Sequence, residues 1–293
     1  MNKKISKLGL GTSNIASLGK SLPYNKAKRL FDLAFDMNVS TIDTSDTYGS
    51  GDAERLIGKI IEGKRNNIFV ISKVGYPYIT LPKSMSPLNQ FGKKILQGLK
   101  FKKRFKKEYI LSGIEKSLKR LNINHLDAYL LHDLSIKDIF VHKDECFEAL
   151  YLIKKKGLSR FIGISSNDHK ALSFTIKNTN VDLIQTKMDF KKKNSSLLVE
   201  AKNKELKIIV NSIFNQTLDH SLDIKVNELL KNFHINEKYK KTILITYCLL
   251  QKNIDCALFG TTNMEHLNLI GKGYEKYKVN FSELFAKLEN LFK

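Results

Sequence analysis

Four residues whose side chains can hold or transfer a proton follow short, β-branched apolar runs of this sequence. They are Asp43, Tyr48, Lys73 and His132. If those runs are neighbouring parallel strands, their carboxyl ends meet at one rim and the four side chains converge there. Buried Asp and Lys are rarely tolerated unless they are paired. Finding both at strand ends therefore favours one shared site over separate turn, cap and surface residues.

Together these four residue types support the reduction of a carbonyl group. A phenol with a pKa of about 10 is a poor proton donor at neutral pH. We expect the Lys73 ammonium to lower the pKa of Tyr48, and Asp43 to keep that ammonium charged. His132 can hydrogen-bond the carbonyl oxygen and orient it. No side chain donates hydride, so this chemistry requires a nicotinamide cofactor.

The elements that would position these residues alternate along the chain. Eight near-continuous apolar runs are typical of parallel strands covered by helices. The runs are Lys7–Gly11, Ser40–Thr44, Ile68–Lys73, Leu126–His132, Phe161–Ser165, Asp182–Gln185, Lys207–Asn211 and Asp255–Gly260. Amphipathic helices are predicted at Asn25–Met37, Ala53–Glu62, Glu108–Leu121, Asp144–Lys156, Asp168–Lys177, Ser195–Lys204, Glu237–Lys252 and Met264–Ile270.

This alternation predicts an α/β fold, a (β/α)8 TIM barrel in which residues 1–293 form a single domain. The alternative, a doubly wound open sheet, usually carries a Gly-rich turn after its first strand. The corresponding segment, Gly9–Ser13, lacks the third glycine and does not lead straight into a helix. The barrel is therefore favoured.

Two interruptions predict long loops on the functional face of the barrel, after strands 3 and 7. They are Tyr76–Lys107 and Phe214–Asn236. Within the first, Lys93–Lys107 carries eight Lys or Arg residues and no acidic residue. This basic loop is either a solvated surface or a lid that attracts an anionic substrate. The final segment, Phe281–Phe292, predicts a C-terminal helix packed outside the barrel or across one end.

Composition excludes several classes of protein. Apolar residues make up 42%, so the chain is not disordered, and no apolar run is long enough to span a membrane. The net charge is +21, but only six of the 50 basic residues are arginine. Because arginine makes the bidentate contacts to phosphates and bases, this excess of lysine disfavours specific nucleic-acid binding. Three cysteines without ligand spacing predict no metal site, and reduced thiols without a signal peptide predict the cytoplasm.

The sequence resembles the aldo-keto reductase family over nearly its whole length, from Leu8-Gly-Leu-Gly-Thr12 to Gly260-Thr-Thr-Asn263. The most specific motif is Ile42-Asp-Thr-Ser-Asp-Thr-Tyr-Gly49, followed by Glu54 and Ile57-Gly58. Further matching motifs are Ile71-Ser-Lys73, Leu130-Leu-His132, Gly163-Ile-Ser165 and Ile184-Gln185. The resemblance implies NAD(P)H-dependent reduction of a small aldehyde or ketone, with a sugar or an anionic carbonyl compound among the candidates. It also implies a catalytic tetrad with Tyr48 as general acid; the set is Asp43, Tyr48, Lys73 and His132.

The resemblance further implies a dinucleotide site at the carboxyl ends of the strands. Gln185 is expected to bond the nicotinamide carboxamide, and Gly260–His266 to hold the pyrophosphate and adenosine at a helix N-terminus. The whole expected set is Gly11, Thr12, Asp43, Ser165, Ser166, Gln185, Asn211, Ser212, Phe214, Gly260, Thr261, Thr262, Asn263 and His266.

Several positions depart from the family pattern. Ser166 is inserted into the usual Ser-Asn pair after strand 5, and Phe214 is the only aromatic residue near the end of strand 7. Gly260 and His266 stand where Lys and Arg commonly bind the 2′-phosphate of NADP, so the sequence leaves both NADP and NAD open. The same departures leave open a second function, a nicotinamide-nucleotide-binding regulatory or scaffold protein with little or no turnover. A partner protein would then bind through the basic loop.

The bottom of the barrel needs a closing group. The first predicted strand begins at Lys7, without the N-terminal hairpin that often plugs such barrels in this family. We therefore expect another side chain or the C-terminal helix to close it.

The lid hypothesis gives a testable prediction. Replacing Lys102, Lys103, Lys106 and Lys107 together with Gln should raise the KM for an anionic carbonyl substrate and spare neutral ones, because the charge that attracts the anion is lost. Steady-state kinetics on one anionic and one neutral substrate measures this difference. An unchanged KM for the anion would identify the basic loop as a solvated surface.

Overall fold

The structure, a computed structural model, describes the greater part of the chain. The described residues are 4–17, 20–77, 103–188, 190, 195–214, 218, 220–251, 253–279 and 282–292. Residues 93–102 of the predicted basic loop, Lys102 among them, lie outside this part.

Eight parallel strands close into a barrel, which confirms the (β/α)8 architecture. They are β1 (Leu8–Gly11), β2 (Thr41–Asp43), β3 (Phe69–Val74), β4 (Leu126–His132), β5 (Ser159–Ser165), β6 (Leu183–Lys187), β7 (Lys207–Asn211) and β8 (Cys256–Phe259). Each strand pairs with its sequence neighbours, and β8 pairs with β1 to complete the ring. All eight predicted strands are present, and their ends differ from the prediction by at most two residues.

Helices cover the outside of the barrel. They are α1 (Tyr24–Asp36), α2 (Asp52–Ile61), α3 (Lys107–Leu121), α4 (Ile136–Lys155), α5 (His169–Asn178), α6 (Ser195–Asn203), α7 (His220–Asn232), α8 (Lys240–Leu250), α9 (Met264–Tyr277) and α10 (Ser282–Leu291). Short 3-10 helices lie at Tyr48–Gly51, Arg65–Asn67 and Glu237–Tyr239, and Ala16–Ser17 pairs with Lys20–Ser21 after β1. No helix among the described residues is long and apolar enough to cross a bilayer.

Three helices differ clearly from the prediction, and one of them is α9, which continues to Tyr277 beyond the predicted end at Ile270. Helix α7 lies inside the interruption after strand 7, where Leu222, Val226 and Leu230 repeat every four residues and are buried on one face. Helix α4 begins well before the predicted start, because Ser135 and Asp138 form a capping box. Both signals are visible in the sequence and were not used to predict helix bounds.

Alternate residues of the strands point into the barrel and form a dry layer. The layer comprises Phe69, Ile71, Ala128, Leu130, Leu183, Ile209, Cys256 and Leu258. Ile5 and Phe161 pack against it near the amino ends of the strands, so side chains rather than the C-terminal helix close the bottom. Helix α10 packs on the outside, where Phe285 and Phe292 contact Tyr247 of α8.

The pleat of the strands places a polar layer directly above this apolar one. Lys73 follows Ile71 by two residues, and His132 follows Leu130 by two. Because strand side chains alternate with a period of two, these residues face the same interior. The barrel therefore carries its polar groups at the carboxyl ends of its strands, where the functional face was predicted.

Gly163 in β5 gives a prediction about how closely two strands approach. A Cβ atom at Gly163 would lie 1.8 Å from the carbonyl oxygen of Leu183 and 3.3 Å from a Leu130 methyl carbon. Gly163→Ala should therefore lower the free energy of unfolding by about 3 kcal/mol, since β5 and β6 must separate. Urea unfolding measures the change. The control is Gly157→Asn, at a left-handed φ of 70° with no atom within 4 Å of its Cβ position, which should cost less than about 1 kcal/mol. A wild-type unfolding midpoint for Gly163→Ala would contradict the close approach.

Candidate active site

A buried ion pair lies at the centre of the polar layer. The ammonium nitrogen of Lys73, at the end of β3, lies 2.7 Å from Oδ1 of Asp43, the last residue of β2. Lys73 also donates a hydrogen bond of 2.8 Å to the carbonyl oxygen of Thr44. Both side chains are almost fully covered: Lys73 is 1% exposed and Asp43 5%. Solvent therefore cannot screen this pair.

Gln185 braces the pair from the far side of the barrel. Its strand, β6, stands opposite β2 in the ring of eight. Even so, Nε2 of Gln185 donates to Oδ1 of Asp43 at 2.9 Å. The backbone of Asp43 is held as well, because both the N–H and the hydroxyl of Thr12 donate to its carbonyl oxygen at 3.0 Å. The Asp43 carboxylate is thus held by Lys73 and Gln185, and its backbone by Thr12.

Tyr48 reaches the pair from the turn after β2. The turn is tight: Gly49 and Ser50 have φ values of 61° and 55°, and a Cβ at Gly49 would lie 2.5 Å from the Ala16 carbonyl oxygen. The glycine after Tyr48 is therefore required for the turn to pack against the segment that follows β1. The ammonium nitrogen of Lys73 lies 5.2 Å from the centroid of the Tyr48 ring, so its charge acts on the phenol. The Tyr48 side chain is partly exposed, so it links the buried pair to open space.

His132, the last residue of β4, lies beside the phenol. The two ring centroids are 5.9 Å apart with the planes at 80°. On its other side the ring meets Tyr76, at 5.3 Å and 87°. Nδ1 of His132 lies 3.1 Å from the hydroxyl of Ser45. The imidazole is partly exposed, like Tyr48, so these two residues form the open part of the four-residue cluster.

Burial and charge set the protonation states of the cluster. Burial acts to lower the pKa of Lys73, but Asp43 and Tyr48 outweigh it and the pKa is raised, so the amine stays an ammonium. Burial, with the charges of Lys73 and Lys103, holds the pKa of His132 well below its usual range, so the imidazole is neutral. Burial raises the pKa of Tyr48, although Lys73 opposes this shift. The expected effect of Lys73 is thus present, but burial outweighs it and the phenol stays protonated at neutral pH.

The residues expected to hold a cofactor occupy the same rim. Gly11 ends β1, and Ser165 ends β5 and is 7% exposed. Three of the expected hydroxyls already donate within the protein, and that of Thr261 donates to the Asn263 carbonyl oxygen at 3.2 Å. That of Thr12 donates to Asp43, and that of Ser166 donates to the Leu134 carbonyl oxygen at 2.5 Å. The Thr12 and Ser166 hydroxyls therefore connect neighbouring backbone segments of the rim.

Among the buried side-chain oxygens at the rim that lack a hydrogen-bond partner are Oε1 of Gln185 and Oδ1 of Asn211. Gln185 has its amide nitrogen fixed on Asp43, so its oxygen is left as a free acceptor. Buried acceptors without a donor are costly, and a carboxamide N–H₂ group would satisfy them. The free acceptors at this rim therefore fit the carboxamide of a nicotinamide.

The end of β8 leads into a capped helix N-terminus. Asn263 caps α9 by accepting the N–H of Glu265 at 2.7 Å, and the Thr261 hydroxyl accepts the N–H of Asn263 at 3.1 Å. The Cβ position of Gly260 lies 3.6 Å from the Gly11 carbonyl oxygen, so β1 and β8 present these residues side by side. Gly260, Thr262, Asn263 and His266 are exposed or partly exposed. A helix N-terminus open on this rim suits a pyrophosphate.

The two remaining expected residues follow β7. Ser212 is exposed, with a left-handed φ of 53°. Phe214 is partly buried against the main core, and the Lys241 nitrogen lies 5.6 Å from its ring centroid.

The structure also brings into the site residues that sequence reasoning missed. Ser45 and Tyr76 contact His132 directly, and Asp46 lies behind Ser45. The phenol of Tyr76 donates to Asp133 at 2.5 Å. Ser45 lies two residues beyond Asp43, so the strand period could have pointed to it, whereas no local pattern marks Tyr76.

The described end of the basic loop is paired with the protein's own carboxylates. The Lys103 nitrogen donates to the Asp133 backbone oxygen and lies 3.6 Å from the Asp138 carboxylate. Lys107 contacts Glu148 at 2.5 Å. These two lysines are therefore less available to an anionic substrate than their sequence suggested.

Comparisons with known proteins agree with this architecture. The model of the Aldo/keto reductase family matches residues 7–268. An uncharacterized oxidoreductase of Bacillus subtilis is 29% identical over 179 residues, 60% of this chain and 50% of its own length. A D-threo-aldose 1-dehydrogenase of Pseudomonas is 26% identical over 185 residues, 61% of this chain and 56% of its own. The chain thus spans about half the length of these curated relatives.

Solved structures show the same fold. The holo form of an aldo-keto reductase from Bacillus halodurans superposes with a TM-score of 0.78 at 21% identity, covering 99% of this chain and 93% of that one. An aldo-keto reductase from Klebsiella pneumoniae in complex with NADPH gives 0.74 at 20% identity, covering 100% and 96%. With the family model matching nearly the whole barrel, the chain belongs to the aldo/keto reductase family.

Proposed function

We propose that this protein is an NAD(P)H-dependent reductase of small aldehydes or ketones, with Tyr48 as the general acid. The observation that carries the proposal is the buried Lys73 ammonium, which pairs with Asp43 at 2.7 Å and lies 5.2 Å from the centroid of the Tyr48 ring. This arrangement places a fixed positive charge beside the Tyr48 phenol, whose side chain is partly exposed.

Each of the four residues has a distinct part in the proposed reaction. The substrate carbonyl oxygen binds between the Tyr48 phenol and the neutral His132 imidazole, which orients it by donating a hydrogen bond. As negative charge develops on that oxygen, the Tyr48 proton moves to it, and Lys73 stabilises the phenolate left behind. Asp43 keeps Lys73 charged and in place. Solvent then returns a proton to Tyr48.

The cofactor is proposed to lie across the ends of β5 to β8 and β1. Gln185 and Asn211 offer their free oxygens to the carboxamide, and the capped N-terminus of α9 receives the pyrophosphate. When bound, the reduced nicotinamide supplies the hydride that the carbonyl carbon accepts.

We propose that NADH is used at least as well as NADPH. Gly260 and His266 stand where the family commonly has Lys or Arg to pair with the 2′-phosphate, and a phosphate without a cation is poorly bound.

We also propose that residues 1–293 act as one domain in the cytoplasm, since the three described thiols are free and buried, as suits a reducing compartment.

The substrate is proposed to be a hydroxylated carbonyl compound such as a sugar. The relatives named for aldose and galactose oxidation support this class. The residues beside His132 also suit a sugar. Tyr76 offers an aromatic face, and the partly exposed Asp133 carboxylate can accept hydrogen bonds from hydroxyl groups.

Removing the phenolic proton tests the general acid. Tyr48→Phe should lower kcat for carbonyl reduction by about 10²- to 10⁴-fold, because the ring remains and only the acid is lost. Cofactor oxidation followed at 340 nm, with aldehydes, ketones and sugars as substrates, measures this loss. The matched control is Tyr76→Phe, which removes a phenol on the other side of His132 and should cost less than about tenfold. Turnover by Tyr48→Phe equal to wild type would reject Tyr48 as the acid.

A second prediction concerns the cofactor. Introducing a cation by Gly260→Lys should tighten NADPH binding by about tenfold and leave NADH nearly unchanged, since only the 2′-phosphate gains a partner. The nearest atoms, in Asn14 and Gly11, lie 3.6 Å from the Cβ position, so the side chain has room. Fluorescence titration with both nucleotides measures the two Kd values. Gly260→Gln is the uncharged control, and equal gains for both nucleotides would contradict the assignment of this position.

A further inference from the structure

A buried pair of residues, Ser45 and Asp46, lies in a hydrogen-bonded chain with His132. The Ser45 hydroxyl oxygen is 3.1 Å from Nδ1 of His132 and 3.2 Å from Oδ1 of Asp46. Ser45 is 0% exposed and Asp46 1%. In the proposed reaction the other ring nitrogen of His132, Nε2, donates to the substrate. The reaction therefore gives no role to the hydrogen bonds that join Nδ1, Ser45 and Asp46.

The direction of the hydrogen bonds among Asp46, Ser45 and His132 decides which ring nitrogen of His132 carries the proton. A serine hydroxyl has one hydrogen, so it donates to one neighbour at a time. If Ser45 donates to Nδ1, the neutral imidazole carries its proton on Nε2. If Ser45 donates to Asp46 instead, Nδ1–H donates to Ser45 and Nε2 becomes an acceptor. Only the first arrangement lets His132 donate a hydrogen bond to a carbonyl oxygen.

Other neighbours of the Ser45 hydroxyl also bear on its direction. The Thr47 N–H donates to it at 3.3 Å and so fills an acceptor position. The Thr47 hydroxyl lies 3.0 Å away, and the Lys73 carbonyl oxygen 3.4 Å away. The Lys73 contact is the longest of those that the Ser45 hydroxyl makes, so it competes least with Nδ1.

The surroundings of Asp46 favour its neutral form. Its second oxygen, Oδ2, is buried without a hydrogen-bond partner, which an ionised carboxylate tolerates poorly. The Glu54 carboxylate of α2 lies close by, itself bonded at 2.6 Å by Arg120 of α3 and at 2.6 Å by Ser72 of β3. Arg120 is bonded to Glu54, and its charge also acts on Asp46, against the effect of Glu54.

Burial raises the pKa of Asp46 well above its usual range, and the Glu54 charge raises it further. Arg120, Ser45 and the Thr47 backbone act in the opposite direction. The neutral acid has an O–H to donate to the Ser45 oxygen. That bond turns the Ser45 hydrogen toward Nδ1.

We propose that Ser45 and Asp46 are positioning residues that hold His132 in the tautomer with its proton on Nε2. Ionisation of Asp46 reverses the chain: the Ser45 hydrogen turns to the carboxylate, Nδ1–H donates to Ser45, and one proton leaves to solvent. The kinetic consequences rest on the proposed carbonyl reduction, whereas the tautomer is a property of the free protein. The charged and titratable neighbours of the His132 ring are Lys73, Lys103, Tyr48 and Tyr76.

The tautomer can be read without any turnover from the ¹⁵N chemical shifts of the His132 ring, with His132→Gln identifying the signals. We expect wild type at neutral pH to carry the proton on Nε2, Ser45→Ala to shift population toward the Nδ1–H form, and Asp46→Asn to keep the wild-type form. Asparagine can donate to Ser45 from its amide nitrogen and cannot ionise. A wild-type Nδ1–H ring, or the same tautomer ratio in Ser45→Ala as in wild type, overturns the proposal.

Kinetics supplies the second measurement. Ser45→Ala should lower kcat about tenfold with little change in cofactor KM, and Ser45→Thr, which keeps the hydroxyl, should recover most of it. Asp46→Asn should keep near wild-type kcat, whereas Asp46→Ala should resemble Ser45→Ala. The matched control is Ser159→Ala, a buried serine near the bottom of the barrel whose hydroxyl donates to Phe161. Its kcat should stay at the wild-type value.

The two proposals fail in distinguishable ways. If wild type turns over no carbonyl compound but carries the His132 proton on Nε2, the proposed function is wrong and the proposed role of Ser45 and Asp46 is supported. If wild type is active and Ser45→Ala has the wild-type kcat, the proposed role of Ser45 and Asp46 is wrong and the proposed function is supported.

Discussion

The ion pair between Lys73 and Asp43 is the interaction on which the site depends. The ammonium has two oxygen partners, the Asp43 carboxylate and the Thr44 backbone, and it lies 5.2 Å from the centroid of the Tyr48 ring. Removing either charge would leave the other buried and unpaired, at a cost of about 3–5 kcal/mol. The pair therefore ties the ends of β2 and β3 to the turn that carries Tyr48, and it sets the charge that Tyr48 experiences.

The site divides into a covered half and an open half. Asp43, Lys73 and Gln185 are almost completely buried, whereas Tyr48 and His132 are partly exposed. Charges in the covered half act through a medium of low dielectric constant and keep their strength. Groups in the open half can meet a reactant. The buried groups thus act on a substrate through Tyr48 and His132.

The barrel makes this division possible through the pleat of its strands. The interior layer of apolar side chains excludes water beneath the site, and the next inward residue of β3, β4, β6 and β7 is Lys73, His132, Gln185 and Asn211, respectively. Gly163 allows β5 and β6 to approach closely. This narrow interior explains how Gln185 can bond Asp43 although their strands stand on opposite sides of the ring.

Local patterns in the sequence determined the elements. Apolar runs at regular intervals identified all eight strands, and the position of polar residues at their ends identified the rim, because period and strand direction are local properties. Contacts across the barrel were not predictable in this way. The bonds of Gln185 to Asp43 and of Ser45 to His132 join residues 142 and 87 positions apart. The protonation state of Tyr48 was not predictable from local patterns either. Lys73 was expected to lower the pKa of Tyr48, but burial raises it, and only the tertiary structure sets how deeply a side chain is buried.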